Sequence, residues 1–121
     1  MKTFTEYQKN ALRTASMSAS KQHDLLHGVL GLVTEAAEMA DVIKKNHAYG
    51  KPIDIVNLKE ELGDVLWYIP LICRALDTDM ETIAEANIEK LKIRYPDKFT
   101  TDKALNRDLD AERTLLNDYH N

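Results

Sequence analysis

Two pairs of acidic residues, each with three-residue spacing, are the side chains of this sequence best suited to chemistry. Glu35 and Glu38 form the first pair, and Glu61 and Asp64 form the second, each within a largely apolar stretch. Residues three apart lie on the same face of a helix, so two such helices packed together would bring four carboxylates to one place. Carboxylates held this close repel one another unless a cation or protons neutralise them. Oxygen ligands without thiol or imidazole favour Mg²⁺, with Mn²⁺ as the alternative.

Acidic pairs at this spacing are also common on solvated helix faces, so their surroundings decide between the two interpretations. Gly28 and Gly31 share the face of Glu35 and Glu38. Glycine inside a helix costs about 1 kcal/mol relative to alanine, which indicates that another element or a ligand approaches this face closely. No Lys or Arg follows either acidic pair at four-residue spacing. A di-iron site is disfavoured because such bundles use Glu-x-x-His pairs, and here both third positions are acidic.

Composition and apolar periodicity predict an all-α protein. The 121 residues are 44% hydrophobic and 30% charged, with four Gly and three Pro, which is typical of a globular chain with few tight turns. Apolar residues recur at helical spacing, so we predict four helices over roughly residues 5–20, 24–45, 55–76 and 79–95. Thr5 and the His23-Asp24 pair are the predicted N-caps of the first two helices. Residues 1–99 are expected to form one domain, and residues 100–121 a charged extension with at most a short helix.

The predicted helices carry more apolar surface than one small chain covers. The core stripe expected for the second helix is Leu26, Val29, Leu30, Val33, Ala37 and Ala40, and for the third it is Leu58, Leu62, Val65, Ile69, Ile72 and Leu76. Trp67 lies roughly opposite the latter stripe, at about 100° per residue. A helix that is apolar nearly all round is buried nearly all round, so we expect a homodimer or a dimer of dimers that buries the Trp67 face.

A polar stripe on the fourth predicted helix suits an anionic substrate. Asn87, Lys90 and Arg94 recur at helical spacing just before Tyr95, and Lys and Arg side chains stabilise phosphate charge. An ordinary solvated helix face is the alternative interpretation. His27 lies on the acidic face of the second helix, where it either lines a binding pocket or has a structural role.

Other features exclude several function classes. The sequence has no glycine-rich phosphate loop, which excludes a P-loop NTPase. Its net charge of −4 argues against nucleic acid or a membrane surface as the partner. Cys73 is the single cysteine and has no partner for an internal disulfide, so we expect a reducing compartment. The N-terminus carries no apolar signal region, and no stretch approaches the ~20 apolar residues of a membrane span, so we expect a cytoplasmic protein.

The order of these motifs resembles that of the MazG-type all-α nucleoside triphosphate pyrophosphohydrolases. Residues 31–38, Gly-Leu-Val-Thr-Glu-Ala-Ala-Glu, and residues 60–68, Glu-Glu-Leu-Gly-Asp-Val-Leu-Trp-Tyr, are similar to the family's E-x-x-E and E-x-x-D motifs. The 22 residues of 39–60 separate the two acidic pairs. Residues 87–96, Asn-Ile-Glu-Lys-Leu-Lys-Ile-Arg-Tyr-Pro, are similar to its third motif.

The resemblance implies a four-helix MazG-like core, assembly into dimers or tetramers, and Mg²⁺-dependent cleavage of an NTP or dNTP to the monophosphate and pyrophosphate. By position it implies metal-binding and catalytic roles for Glu35, Glu38, Glu61 and Asp64, phosphate contacts for Lys90 and Arg94, and a pocket shaped by Asn87 and Tyr95. The general base is either Glu35 or Glu38.

Two alternatives stay open at the level of sequence. One is a dUTPase-like or phosphoribosyl-ATP pyrophosphatase-like relative, although Thr34 stands where some dUTPase-like relatives have an acid. The other is a non-catalytic helical module that binds nucleotides or mediates oligomerisation. The complete set of four acids argues against this second alternative, because a binding module does not need so many repelling carboxylates.

Overall fold

The structure, a computed structural model, describes residues 1, 3–17 and 20–120, and these ranges contain six α-helices and no strand. The helices are α1 (Phe4–Leu12), α2 (Lys21–Tyr49), α3 (Ile55–Ala75), α4 (Met80–Arg94), α5 (Thr101–Leu105) and α6 (Leu109–His120). The predicted all-α class is confirmed. No described helix is both long enough and apolar enough to cross a membrane. The chain forms two compact units, Met1–Met80 and Glu81–Asn121, and the predicted division after residue 99 stays a prediction.

Local hydrogen bonds set the helix ends, and they differ in two places from the sequence prediction. The N-cap of α1 is Thr3 rather than Thr5, and its hydroxyl accepts from the Glu6 amide at 3.1 Å. The N-cap of α2 is Ser20, which accepts from the amide of His23, so the His23-Asp24 pair lies inside the helix. Helix α1 ends at Leu12; residues 18 and 19 of its predicted extension lie outside the described residues.

The boundaries of α3 and α4 agree with the prediction to within one residue, whereas α2 extends to Tyr49, four residues beyond its predicted end. Gly50 ends α2 in the left-handed conformation at φ 67°, where glycine carries no Cβ penalty. Asp54 then caps α3 by accepting from the Asn57 amide at 3.0 Å. Helix α3 continues through Pro70 to Ala75. The tail carries two helices, α5 and α6, where at most one short helix was expected.

The glycine face of α2 packs directly on α3. A Cβ on Gly28 would lie 2.6 Å from Ile72 Cγ1, and a Cβ on Gly31 would lie 2.1 Å from Tyr68 Cε1. Both distances are far below a normal carbon–carbon contact of about 3.5–4 Å. The close approach predicted from the two glycines therefore exists, and the approaching element is α3.

The predicted core stripes are wrong in part. The glycine face of α2 packs against α3, where the sequence predicted the aliphatic stripe of α2. Leu26, Val29, Leu30 and Val33 are 44–60% exposed in the chain. On α3, Leu62 and Leu76 are also exposed. The buried residues of α3 are Glu61, Pro70, Leu71, Cys73 and Ala75. Hydropathy alone selected the wrong side of α2.

A buried ion pair fixes one end of the α2–α3 contact. Asp24 is 5% exposed, and its two oxygens accept from Arg74 Nε at 2.8 Å and Arg74 Nη2 at 3.0 Å. These hydrogen bonds hold the pKa of Asp24 below its ordinary value. The same Nη2 also donates to the Ser16 carbonyl at 3.2 Å. Nearby, Trp67 Nε1 donates to the Thr14 hydroxyl at 2.8 Å, so half-buried Trp67 has a partner within its own chain.

In the second unit, one carboxylate lies between two guanidinium groups. Glu112 of α6 is 3% exposed. It accepts from Arg107 through both carboxylate oxygens, at 2.9 and 3.1 Å, and from Arg94 Nη2 at 2.7 Å. Hydrogen bonds from Arg107 and Arg94 lower the pKa of Glu112 to about 2. This cluster ties α6 to the end of α4.

Alanine substitutions at two helical glycines test the packing. Gly28→Ala should destabilise the protein by about 1–3 kcal/mol, because the added methyl overpacks against Ile72. Gly63→Ala is the matched control: a Cβ there meets no atom within 4 Å, so it should stabilise by up to about 1 kcal/mol. Urea denaturation followed by circular dichroism measures both. Equal effects of the two substitutions would contradict the close α2–α3 contact.

Removing Glu112 tests the cluster of the second unit. Glu112→Ala should cost about 3 kcal/mol at pH 7, since both guanidinium groups lose their shared carboxylate. The folded pKa is depressed from 4.5 to about 2, so this contribution is complete above pH 4.5 and lost as the pH falls towards 2. Denaturation at pH 7 and pH 2.5 measures it, with Asp118→Ala, an exposed acid of α6, as the control. A deficit of Glu112→Ala that is unchanged at pH 2.5 would disprove this account.

Candidate metal centre

The register of the α2–α3 contact brings acidic residues of both helices together. Gly28 lies against Ile72 and Gly31 against Tyr68, so the two helices run antiparallel. One or two turns beyond Gly31, Glu35 and Glu38 reach the α3 segment that begins at Glu61. One carboxylate oxygen from each of Glu35, Glu38 and Glu61 lies within 4.8 Å of the other two. Three of the four predicted metal ligands therefore form one cluster.

Glu61 is the buried member of this cluster. It is 9% exposed, whereas Glu35 is half-buried and Glu38 exposed. Its Oε1 accepts from Asn57 Nδ2 at 3.3 Å, and its Oε2 is buried with no hydrogen-bond donor among the described residues. A buried carboxylate oxygen without a donor is costly unless a proton or a cation binds it.

Two carboxyl groups of the cluster are weaker acids than an isolated glutamic acid. A hydrogen bond with Glu61, partial burial and the charges of Glu38, Glu61 and Asp64 raise the pKa of Glu35 to about 7. The pKa of Glu38 is also raised, first by its hydrogen bond with Glu61. Without a cation, the cluster therefore retains a proton near neutral pH.

Asp64 lies beside the cluster rather than among its three closest members. It is exposed, and its charge contributes to the raised pKa values of Glu35 and Glu38. Burial and the charge of Asp64 also raise the pKa of Tyr7 on α1. A role for Asp64 as a metal ligand stays a prediction.

The cluster fits a hard divalent cation. Its donors are all carboxylate oxygens, and one of them, Glu61 Oε2, has no donor within the described chain. Mg²⁺ and Mn²⁺ prefer such oxygen ligands, and a double positive charge would offset the repulsion that raises the carboxylate pKa values. Glu35, Glu38 and Glu61 are the residues that would hold the ion.

An aromatic group lies on the Gly31 side of the acidic cluster. The ring of His27 is 5.6 Å from that of Tyr68 and 6.5 Å from that of Trp67, and the rings of Trp67 and Tyr68 meet edge to face at 5.0 Å. His27 is exposed. Its predicted place on the acidic face of α2 and its contact with a substrate stay predictions.

The predicted phosphate contacts lie in the second unit, on α4 and directly after it. Asn87 is exposed and Lys90 is half-buried. Arg94 donates to Glu112, and its Nε is buried without a partner among the described residues. The Arg94 guanidinium also lies 5.9 Å from the centre of the Tyr95 ring. Their roles in substrate binding stay predictions.

Sequence reasoning missed two features of the site. Asn57, which donates to Glu61, precedes it by four residues, and that spacing on a predicted helix was a usable signal. The second is a cleft of 570 Å³ next to the cluster, lined by residues of α2, α3 and the connection between them, among them Glu38, Asp41, Lys45, Lys51, Asn57 and Glu61. No sequence pattern indicated this cleft, because it depends on where the connection folds back.

Comparison with known proteins agrees with these observations. A family model described as the MazG nucleotide pyrophosphohydrolase domain matches residues 24–99. The "Gene 37 protein" of Mycobacterium phage L5 is 32% identical over 96 residues, a match that covers 73% of this chain and 84% of the phage protein. No solved structure matches the chain significantly.

The raised pKa of Glu35 predicts how metal-free protein responds to pH. Its ionised form is disfavoured in the folded state, so stability should fall as the pH rises through the window from 4.5 to about 7. Melting temperatures in EDTA between pH 5 and pH 8 measure this. Glu35→Gln should flatten the decline, and Mg²⁺ should raise the melting temperature most at the alkaline end. A wild-type melting temperature in EDTA that rises across this window would contradict the repulsive cluster.

Proposed function

Because the chain belongs to the MazG nucleotide pyrophosphohydrolase family, we propose that it is a Mg²⁺-dependent enzyme that converts an NTP or dNTP to the monophosphate and pyrophosphate. The observation that carries the proposal is the cluster of Glu35, Glu38 and Glu61, with one buried oxygen that lacks a donor among the described residues. Control of the nucleotide pool, or removal of unwanted nucleotides, is the corresponding cellular role.

The proposed chemistry divides between the ion and the side chains. When bound, Mg²⁺ would polarise a phosphate group and lower the pKa of a water molecule. Glu61, with one oxygen held by Asn57, is suited to a fixed ligand role, and Asp64 completes the proposed acidic set. Glu35 or Glu38 would take the proton of the attacking water, since both carboxylates belong to the cluster that would hold the ion beside that water.

Attack at the α-phosphorus would release pyrophosphate, whose charge must be stabilised as it leaves. Lys90 and Arg94 are the proposed cationic contacts, with Asn87 and Tyr95 shaping the pocket and His27 facing the nucleoside. The aromatic rings of Trp67 and Tyr68 near His27 support this last assignment, because nucleobases stack on aromatic side chains.

We also propose a homodimer or homotetramer. Four large aliphatic residues of α2, Leu26, Val29, Leu30 and Val33, are exposed in the single chain, which supports an interface on this face instead of the Trp67 face. A cytoplasmic location fits a nucleotide substrate and the free, buried Cys73.

A measurement of pyrophosphate release tests the reaction. The canonical NTPs and dNTPs and dUTP are each incubated with the protein, with and without Mg²⁺. Mg²⁺-dependent release from one or a few of them is expected, and the pattern separates a dUTPase-like enzyme from a broader one. Phosphoribosyl-ATP serves as the additional substrate for the other alternative. Nucleotide binding without release from any substrate would favour the non-catalytic module.

Neutral substitutions in the cluster test the named residues. Glu38→Gln and Glu61→Gln should each lower kcat/KM by at least roughly 100-fold, the loss typical of removing one electrostatic contact to a reacting group. The matched control is Glu60→Gln, an exposed acid next to Glu61, which should keep wild-type activity. Circular dichroism verifies the fold of each variant. Full activity of both cluster variants would refute the assignment.

A further inference from the structure

The cleft beside the acidic cluster has a defined position along the helix pair. Glu38 and Glu61 line one end, and Lys45 and Lys51 line it further along α2 and in the connection to α3. Lys45 follows Glu38 by seven positions, which is about 10 Å along a helix axis. Its volume of 570 Å³ lies within the range of small-molecule sites, about 300–1,000 Å³. The cleft therefore extends the metal centre in one direction, away from Gly31.

Most charged groups of the cleft already have partners. Asp41 pairs with Lys44 at 3.3 Å and with Lys45 at 2.7 Å, and Asp54 caps α3. Lys51 is exposed and forms no ion pair within the described residues. Lys51 is therefore the positively charged residue of this cleft that has no ion-pair partner among the described residues.

The backbone holds Lys51 at this position. The Gly50 amide donates to the Asn46 carbonyl at 3.0 Å, as in the αL C-cap motif, and the Lys51 amide donates to the Lys45 carbonyl at 3.3 Å. The Lys51 carbonyl accepts from Asn46 Nδ2 at 2.8 Å. Three hydrogen bonds therefore fix the start of the connection, and only the lysine side chain has to move to meet a ligand.

The two sides of the acidic cluster differ in chemistry. Towards Gly31 lie the rings of His27, Trp67 and Tyr68, which suit a nucleobase. Towards Lys51 lies a cleft with no aromatic side chain among its described lining residues. A nucleotide that binds the cluster through its phosphates has one polar, highly charged end. Lys51, the lysine without an ion-pair partner among the described residues, lies on the side of the cluster without aromatic rings.

We infer that the cleft receives the phosphate chain of the substrate, with Lys51 as a contact for its terminal phosphates. This inference deepens the proposed function and depends on it for the identity of the substrate. Lys51 lies between the two acidic motifs, in a segment to which the sequence pattern assigns no role. It would add a positive charge at the end of the chain that leaves as pyrophosphate.

Replacement of Lys51 with Met, which keeps most of the length of the side chain and removes its charge, tests the inference. Lys51→Met should raise KM about tenfold for every nucleotide turned over, whatever its base, and leave kcat within about twofold. Inorganic tripolyphosphate, titrated with Mg²⁺ in a calorimeter, should bind about tenfold more weakly to the variant. Lys59→Met is the control, because Lys59 is an exposed lysine of α3 outside the cleft.

The calorimetric measurement separates this inference from the proposed function, because tripolyphosphate has no base and binding needs no turnover. Weaker tripolyphosphate binding by Lys51→Met alone supports the inference, even if no nucleotide is hydrolysed. Equal affinities of wild type and Lys51→Met would overturn it, as would a wild type that does not bind tripolyphosphate. A rise in KM confined to one base would overturn it too, since Lys51 would then contact the base.

Discussion

The close packing of α2 on α3 through Gly28 and Gly31 is the constraint on which the rest of the first unit depends. With no side chain at either position, the backbone of α2 approaches Ile72 and Tyr68 directly. The following turns must then carry their side chains into the same narrow space, where Glu35 and Glu38 meet Glu61. The Asp24–Arg74 pair fixes the register at one end of this contact. The acidic cluster is therefore a consequence of helix packing, and no flexible loop has to close to form it.

This arrangement places like charges together beside the close contact of α2 with α3. The three carboxylates lie within 4.8 Å of one another, the pKa values of Glu35 and Glu38 are raised, and Glu61 Oε2 is buried without a donor in the described chain. Such groups persist when neighbouring contacts over-determine the structure, and they occur disproportionately at functional sites. A divalent cation relieves the repulsion and supplies the missing partner, which connects the cost in stability to the proposed catalysis. The site has aromatic rings on one side and, on the other, a lysine without an ion-pair partner among the described residues. This difference would orient a bound nucleotide.

The sequence predicted the features that depend on local spacing. The two acidic pairs, the close approach at the glycines and the break at Gly50 each follow from neighbouring residues, and the structure confirms the last two. The buried side of α2 was predicted wrongly, because periodicity identifies positions that share a face but not which face meets another helix of the same chain. Asp24 is a residue type that is common at N-caps, yet its side chain accepts from Arg74, which lies 50 residues away in the sequence. The contacts of Glu112 and the cleft at Lys51 likewise depend on residues brought together only by folding.

Calorimetric titration of Mn²⁺ into metal-free protein tests the central claim most directly, when it is repeated at pH 7 in two buffers that differ in ionisation enthalpy. Because Glu35 has a pKa of about 7, metal binding to the cluster should displace a fraction of a proton, visible as a heat that differs between the buffers. The account predicts saturable binding with proton release in the wild type and strongly weakened binding in Glu61→Gln. Binding of equal strength in Glu61→Gln, or no saturable binding in the wild type, would contradict the account.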